Sequence, residues 1–162
     1  MLEIRQKEIH IGGGNFMEIK IGIGLDNLVF GMSQEEVKNT LGEPDKVNER
    51  EMDNAIVYYF NNELIKAKFD EEEDLKLYSI EVHNPEVLMF NKKVMNLTKG
   101  EIESLLINNG YTKIKHQDYD TFDTIICEEI WTTFEFGFNR LRNIEFSPLF
   151  KDEENILWPD RI

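Results

Sequence analysis

The sequence predicts an α+β fold: two tandem helix-plus-antiparallel-sheet units that join into one continuous sheet with the helices on one face. Three observations lead there. Ser33 with Glu36 and Thr98 with Glu101 form two capping boxes at an offset of 65 residues, in which the hydroxyl accepts the glutamate amide and the glutamate reaches back. Val37 then matches Ile102, Leu41 matches Leu106, and Ser79-Ile80-Glu81-Val82 matches Asn143-Ile144-Glu145-Phe146 at an offset of 64, close to the same period. Apolar residues recur at alternate positions between these landmarks, the period of half-buried strands.

A chain of 162 residues suits one compact domain or two small fused halves. The reading divides it into an extension at 1–16, a first unit at 17–90, a second at 91–150 and a tail at 151–162. With 41% hydrophobic residues, eleven of them Phe, the body has the apolar material for a core. The net charge of -14, from 32 acidic and 18 basic residues, repels a phosphate backbone and steers in a basic partner. No nucleic-acid role is expected. The lone Cys127 allows no internal disulfide, and no apolar run or signal pattern points to a membrane, so the expectation is a cytoplasmic protein.

In chain order, residues 1–16 end in Gly12-Gly13-Gly14-Asn15-Phe16 before Met17. Two readings stay open there: a translated ribosome-binding site, with Met17 the natural start, or a true N-terminal strand leading into a glycine hinge. Ile19, Ile21, Ile23 and Leu25 alternate as one strand. Gly22-Ile23-Gly24 lacks the third glycine of a dinucleotide loop and the Gly-Lys of a phosphate loop, so no nucleotide is expected. The first helix starts at Ser33 and stops at Gly42 before Pro44. Strands follow at Ala55–Phe60, Leu64–Phe69 and Leu77–His83, with Asn61-Asn62 as a turn and the acidic run 70–74 as a solvated loop lacking the ligand spacing of a calcium site. Residues 86–97 bridge to the second helix, which runs from Thr98 towards Asn109. Tyr111 to Lys115 is a further extended piece, and strands at Thr124–Glu128, Ile130–Phe138 and Leu141–Phe146 complete the second unit, with a tight turn at Asn139-Arg140. The tail is tethered through Ile156, Leu157 and Trp158.

Gly31-Met32-Ser33, Val37 and Leu41-Gly42-Glu43-Pro44-Asp45, followed by a strand meander, resemble the helix-then-sheet unit of the small outer-membrane assembly lipoproteins. The tandem arrangement is similar to the β-lactamase inhibitor protein family, which stacks two such units so that the strands form a concave sheet gripping a partner. The resemblance runs from Ile19 to Leu149, although the second unit has Asn109-Gly110-Tyr111 where the Leu-Gly-x-Pro segment would fall. For a chain without an export signal, lipid-attachment cysteine or disulfides, it implies an immunity-type protein that neutralises a co-encoded toxin by covering it.

Alternation assigns the binding face. Ile65, Ala67, Phe69, Tyr78, Ile80, Val82, Ile130, Thr132, Phe134, Phe136 and Phe138 form the core set. The outward set, expected to bind the partner, is Tyr59, Lys66, Lys68, Ser79, Glu81, Trp131, Thr133, Glu135, Asn143 and Glu145. Trp131 also fits a second reading, packed under the tail or against Trp158. His10, His83 and His116 are scattered and Cys127 sits in an apolar strand, so no catalytic residue, metal or cofactor is expected. The expected function is a non-catalytic inhibitor or immunity-type module for a basic protein. The alternatives are a regulatory or assembly module and a small enzyme.

Overall fold

The structure, a computed structural model, describes residues 17–50 and 54–161. The readings of the glycine run concern residues 1–16 and lie outside the described residues. Where one strand is expected from Ile19 to Leu25, the chain turns back on itself: β1 (Met17–Lys20) pairs antiparallel with β2 (Gly24–Leu25), which pairs with β3 (Leu28–Val29). The glycines cause this. Gly22 takes a left-handed φ of 73°, and a Cβ on Gly24 would fall 1.9 Å from the Leu28 carbonyl oxygen. Ile23 is therefore left exposed on the turn.

Helix α1 (Gln34–Leu41) has its predicted capping box, with Ser33 Oγ accepting the Glu36 amide at 3.1 Å and Glu36 Oε1 accepting the Ser33 amide at 2.9 Å. A meander follows: β4 (Lys46–Arg50), β5 (Ala55–Phe60), β6 (Ile65–Asp70) and β7 (Lys76–Val82), each antiparallel to the next. The bridge after Pro85 contains the hairpin β8 (Val87–Met89) and β9 (Lys92–Lys93), and β8 runs parallel to β1. Helix α2 (Lys99–Asn108) has the second capping box, and a second meander follows of β10 (Ile114–Asp118), β11 (Asp123–Cys127), β12 (Thr132–Gly137) and β13 (Arg140–Phe146). A final hairpin, β14 (Leu149–Phe150) and β15 (Ile156–Leu157), carries the chain back.

The class expectation needs correction. The fold is mainly β, not α+β in two helix-plus-sheet repeats with one continuous sheet. The helices are only 8 and 10 residues long, and the strands fall into three sheets: eight strands in the order β10-β11-β12-β13-β7-β6-β5-β4, five in the order β9-β8-β1-β2-β3, and the β14-β15 pair. The five-stranded sheet draws strands from both sides of residue 90. Its short strands lack a run long enough to show alternation, and the polar β4 carries no apolar stripe, so strand content was underread. No helix of the described residues is long and apolar enough to cross a membrane.

The core lies between one face of the large sheet and a layer made of the helices and the small sheet. Val37 of α1 and Ile102 and Leu106 of α2 join Leu25, Leu28, Val87 and Met89 against Phe60, Ile65, Phe69, Ile80, Phe134 and Phe146. Phe30 meets Phe146 edge to face at 5.5 Å, fixing the loop before α1 to the end of β13.

Two expected core residues leave the core. A β-bulge opposite Lys68 and Phe69 makes Tyr78 the extra residue of β7, so Leu77 fills the core place facing Phe69. Phe138 is 99% exposed, because β12 ends at Gly137 and the turn to β13 is built on Phe138 and Asn139, with φ values of 52° and 59°. The turn thus comes one residue earlier than expected.

Candidate functional site

The second face of the large sheet carries one row of register partners across all eight strands: Lys115, Ile126, Thr133, Glu145, Glu81, Lys66, Tyr59 and Lys46. Alternation places them there: the six inner strands turn the opposite set into the core, and the edge strands β4 and β10 extend the row through their register. Flanking rows put Ser79 beside Lys68, and Glu135 beside Asn143. Nine of the ten residues assigned to this face from sequence thus come together, and Trp131 stands apart.

At the centre the side chains are already committed to one another. Lys68 Nζ donates to Glu145 Oε2 at 2.7 Å and lies 3.4 Å from Glu81 Oε2, while Ser79 Oγ donates to the same Glu145 oxygen at 3.0 Å. Glu81 Oε1 accepts from Asn143 Nδ2 at 2.8 Å and lies 3.7 Å from Lys66 Nζ. The ammonium groups of Lys46 and Lys66 each lie 5.2 Å from the centre of the Tyr59 ring, and Asn48 Nδ2 donates to the Tyr59 hydroxyl at 3.2 Å. Lys68 is 9% exposed and Ser79 2%, whereas Tyr59, Lys66, Glu81, Thr133, Glu135, Asn143 and Glu145 are half-buried.

This arrangement moves two ionisation equilibria. Burial raises the Glu81 carboxyl, but the charges of Lys68 and Lys66 and the Asn143 hydrogen bond outweigh it and hold the group below its ordinary value of 4.5. Burial lowers the Lys68 ammonium, but Glu145 and then Glu81 outweigh it and hold the group above its ordinary 10.5. Lys68 is therefore a structural cation and a poor base for its neighbour Ser79. Asn143 Oδ1 is buried with no hydrogen-bond partner, and Glu135 and Thr133 make no side-chain hydrogen bond or ion pair among the described residues.

Trp131 is not a strand residue. It closes the 3-10 turn Glu128–Ile130 in a left-handed conformation, φ 46°, and its ring packs on Phe150 at 4.8 Å. The ring thus meets Phe150 of the second unit rather than Trp158, and of the tail Ile156 lines the same groove. With Tyr78, Pro148 and Ile156 these rings line a groove of about 290 Å3, rimmed by Asp70 and Glu73. Sequence reasoning missed this groove because a bulge and a left-handed residue build it, and neither leaves a periodic signal.

Elsewhere the chemistry is sparse. A second groove, about 600 Å3, runs along α2, but its one carboxylate, Glu101, is held by the Thr98 amide. Burial pushes the Cys127 thiol up, which leaves it inert as a nucleophile. Among the described residues no group of three or more His, Cys, Asp or Glu is arranged to hold a metal ion.

No family model and no curated protein matches the chain. A solved structure of similar shape is that of an extracellular protein containing a SCP domain from Bacillus anthracis str. Ames, 11% identical with a TM-score of 0.48. The match covers 91% of this chain and 50% of that one, so the chain spans about half the length of the protein it matches.

Proposed function

We propose that the chain is a non-catalytic protein-binding module of the inhibitor or immunity type, which covers a basic protein with the second face of its large sheet in the cytoplasm. The observation that carries this reading is the fixed state of that face. Its long side chains are ordered before any partner arrives, which removes part of the entropy cost of binding. The lysines at its centre are neutralised by Glu81 and Glu145, so the acceptor left over beside them is the half-buried Glu135 carboxylate. Such a face suits a partner rich in N–H donors, and the net charge of -14 accelerates its approach. The lone, buried Cys127 suits a reducing compartment.

The test is capture from the native host with the wild-type chain as bait, beside Thr133→Arg and Glu135→Lys baits. A single basic protein held one to one, weakened by salt and lost with both variants, supports the reading. Capture that is indifferent to both variants, or no stoichiometric partner at all, removes it.

A further inference from the structure

The two ends of the β12–β13 hairpin carry opposite chemistry. At the turn end Phe138 is bulky, left-handed and 99% exposed, a combination unfavourable both for the backbone and for the ring in water. Cations surround it. Arg140 and Arg142 follow directly and reach Asn96 at 3.3 Å each, and Lys92 and Lys99 lie at the same end, Lys99 paired with Asp123 at 3.0 Å. Of the acids at this end, Glu101 is committed to its capping box and Asp123 to Lys99, and Asp118 stands beside Asp123 on the neighbouring strand.

At the other end, where β12 begins, lies the aromatic groove of Trp131, Tyr78, Phe150 and Ile156. Its rim is acidic. Asp70 and Glu73 line it, the acidic run 70–74 continues from them, and Asp152, Glu153 and Glu154 sit on the turn between Phe150 and Ile156, against which stand Lys76 and Lys151. The six residues of β12 hold the two ends about 20 Å apart, so they cannot meet within one molecule.

We propose that they meet between molecules: Phe138 of one copy fills the Trp131–Tyr78–Phe150 groove of the next, with Arg140 and Arg142 against the Asp70 and Glu73 rim. The contact is head-to-tail, so it propagates into short chains unless the rotation closes a ring. One aromatic plug buries on the order of 200 Å2, so the association is weak and is read at high protein concentration. It is independent of the partner proposed for the sheet face, because its occupant is the chain itself.

Sedimentation velocity over a wide concentration range tests it. The wild type shows a weight-average mass that climbs with concentration and falls back at high salt. Phe138→Ser removes the plug and Glu73→Lys spoils the socket, each at an exposed or half-exposed position that leaves the core intact. Each variant alone stays monomeric, and an equimolar mixture forms a dimer and nothing larger, because one intact plug and one intact socket remain. Wild type that is monomeric throughout, Phe138→Ser that associates like wild type, or a mixture that stays monomeric overturns the proposal.

Discussion

Arg161 and Glu36, separated by 125 positions, share one carboxylate: the guanidinium donates to Glu36 Oε2 while Glu36 Oε1 caps α1. A second guanidinium nitrogen donates to the Gly31 carbonyl at 2.7 Å, and Trp158 lies over Gly31 with Lys76 5.2 Å from its ring centre. The end of the chain is thereby strapped across the start of the first helix. Arg161→Ala should cost only about 0.5 kcal/mol, as expected of a partly exposed ion pair. Trp158→Ala, which removes the apolar half of the strap, should cost about 2 kcal/mol. Urea denaturation of the two variants checks the order, and hydrogen exchange should show the Gly31 amide less protected in both.

The Lys68–Glu145 pair bridges strands that neighbour β7 on either side. Lys68→Met leaves the half-buried carboxylates of Glu145 and Glu81 with one cation fewer and should destabilise by about 2 kcal/mol. Adding Glu145→Gln should return part of that loss. A double-mutant cycle by chemical denaturation that found the two changes additive would show the pair to be energetically silent.

The same network sets a pH window. Glu81 is depressed, so its contribution is complete above the ordinary 4.5 and is lost as the pH falls through its lowered folded value. Lys68 is raised, so its contribution is complete below the ordinary 10.5 and is lost as the pH climbs through its raised folded value. Between these limits stability should be flat with respect to both groups. In Lys68→Met the alkaline loss from Lys68 should vanish and the acid loss from Glu81 shrink, measured as melting temperature against pH.

Phe138 sits where a turn of this kind favours asparagine or glycine. Phe138→Asn should therefore stabilise the isolated molecule by about 1 kcal/mol, measured at concentrations low enough to keep it monomeric. A loss of stability instead would mean that the ring packs on something its exposure does not reveal.

Local signals were legible where one residue type does one job. Both helix starts were read from Ser33, Glu36, Thr98 and Glu101, and both stops from Gly42 and Asn109-Gly110. The strand at Ala55–Phe60 matched its expected bounds, and the outward set on the sheet face followed from parity. Parity failed wherever the backbone changed phase. The bulge at Tyr78, the turn at Phe138 and the left-handed Trp131 each shift a side chain without altering the apolar pattern around it. The acidic-rimmed groove is built around two of those displaced residues, Tyr78 and Trp131, and so had no signature in the chain. The class was misread because pairs such as Lys92-Lys93 and Leu28-Val29 are too short to carry a period.

The seam of the eight-stranded sheet consists of three pairs, Ile144 with Val82, Glu145 with Glu81 and Phe146 with Ile80. Every other join in that sheet is between strands adjacent in sequence, but the seam links Glu81 to Asn143 across 62 positions. Closing so long a loop is entropically costly, which predicts that the hairpins on either side assemble first and the seam closes late. Lys68, Glu145 and Asn143 span it, so their contacts are expected to form on the native side of the barrier. Weakening them should hasten unfolding in stopped-flow experiments while leaving the refolding rate nearly untouched, which makes this small polar cluster a latch on the lifetime of the native state.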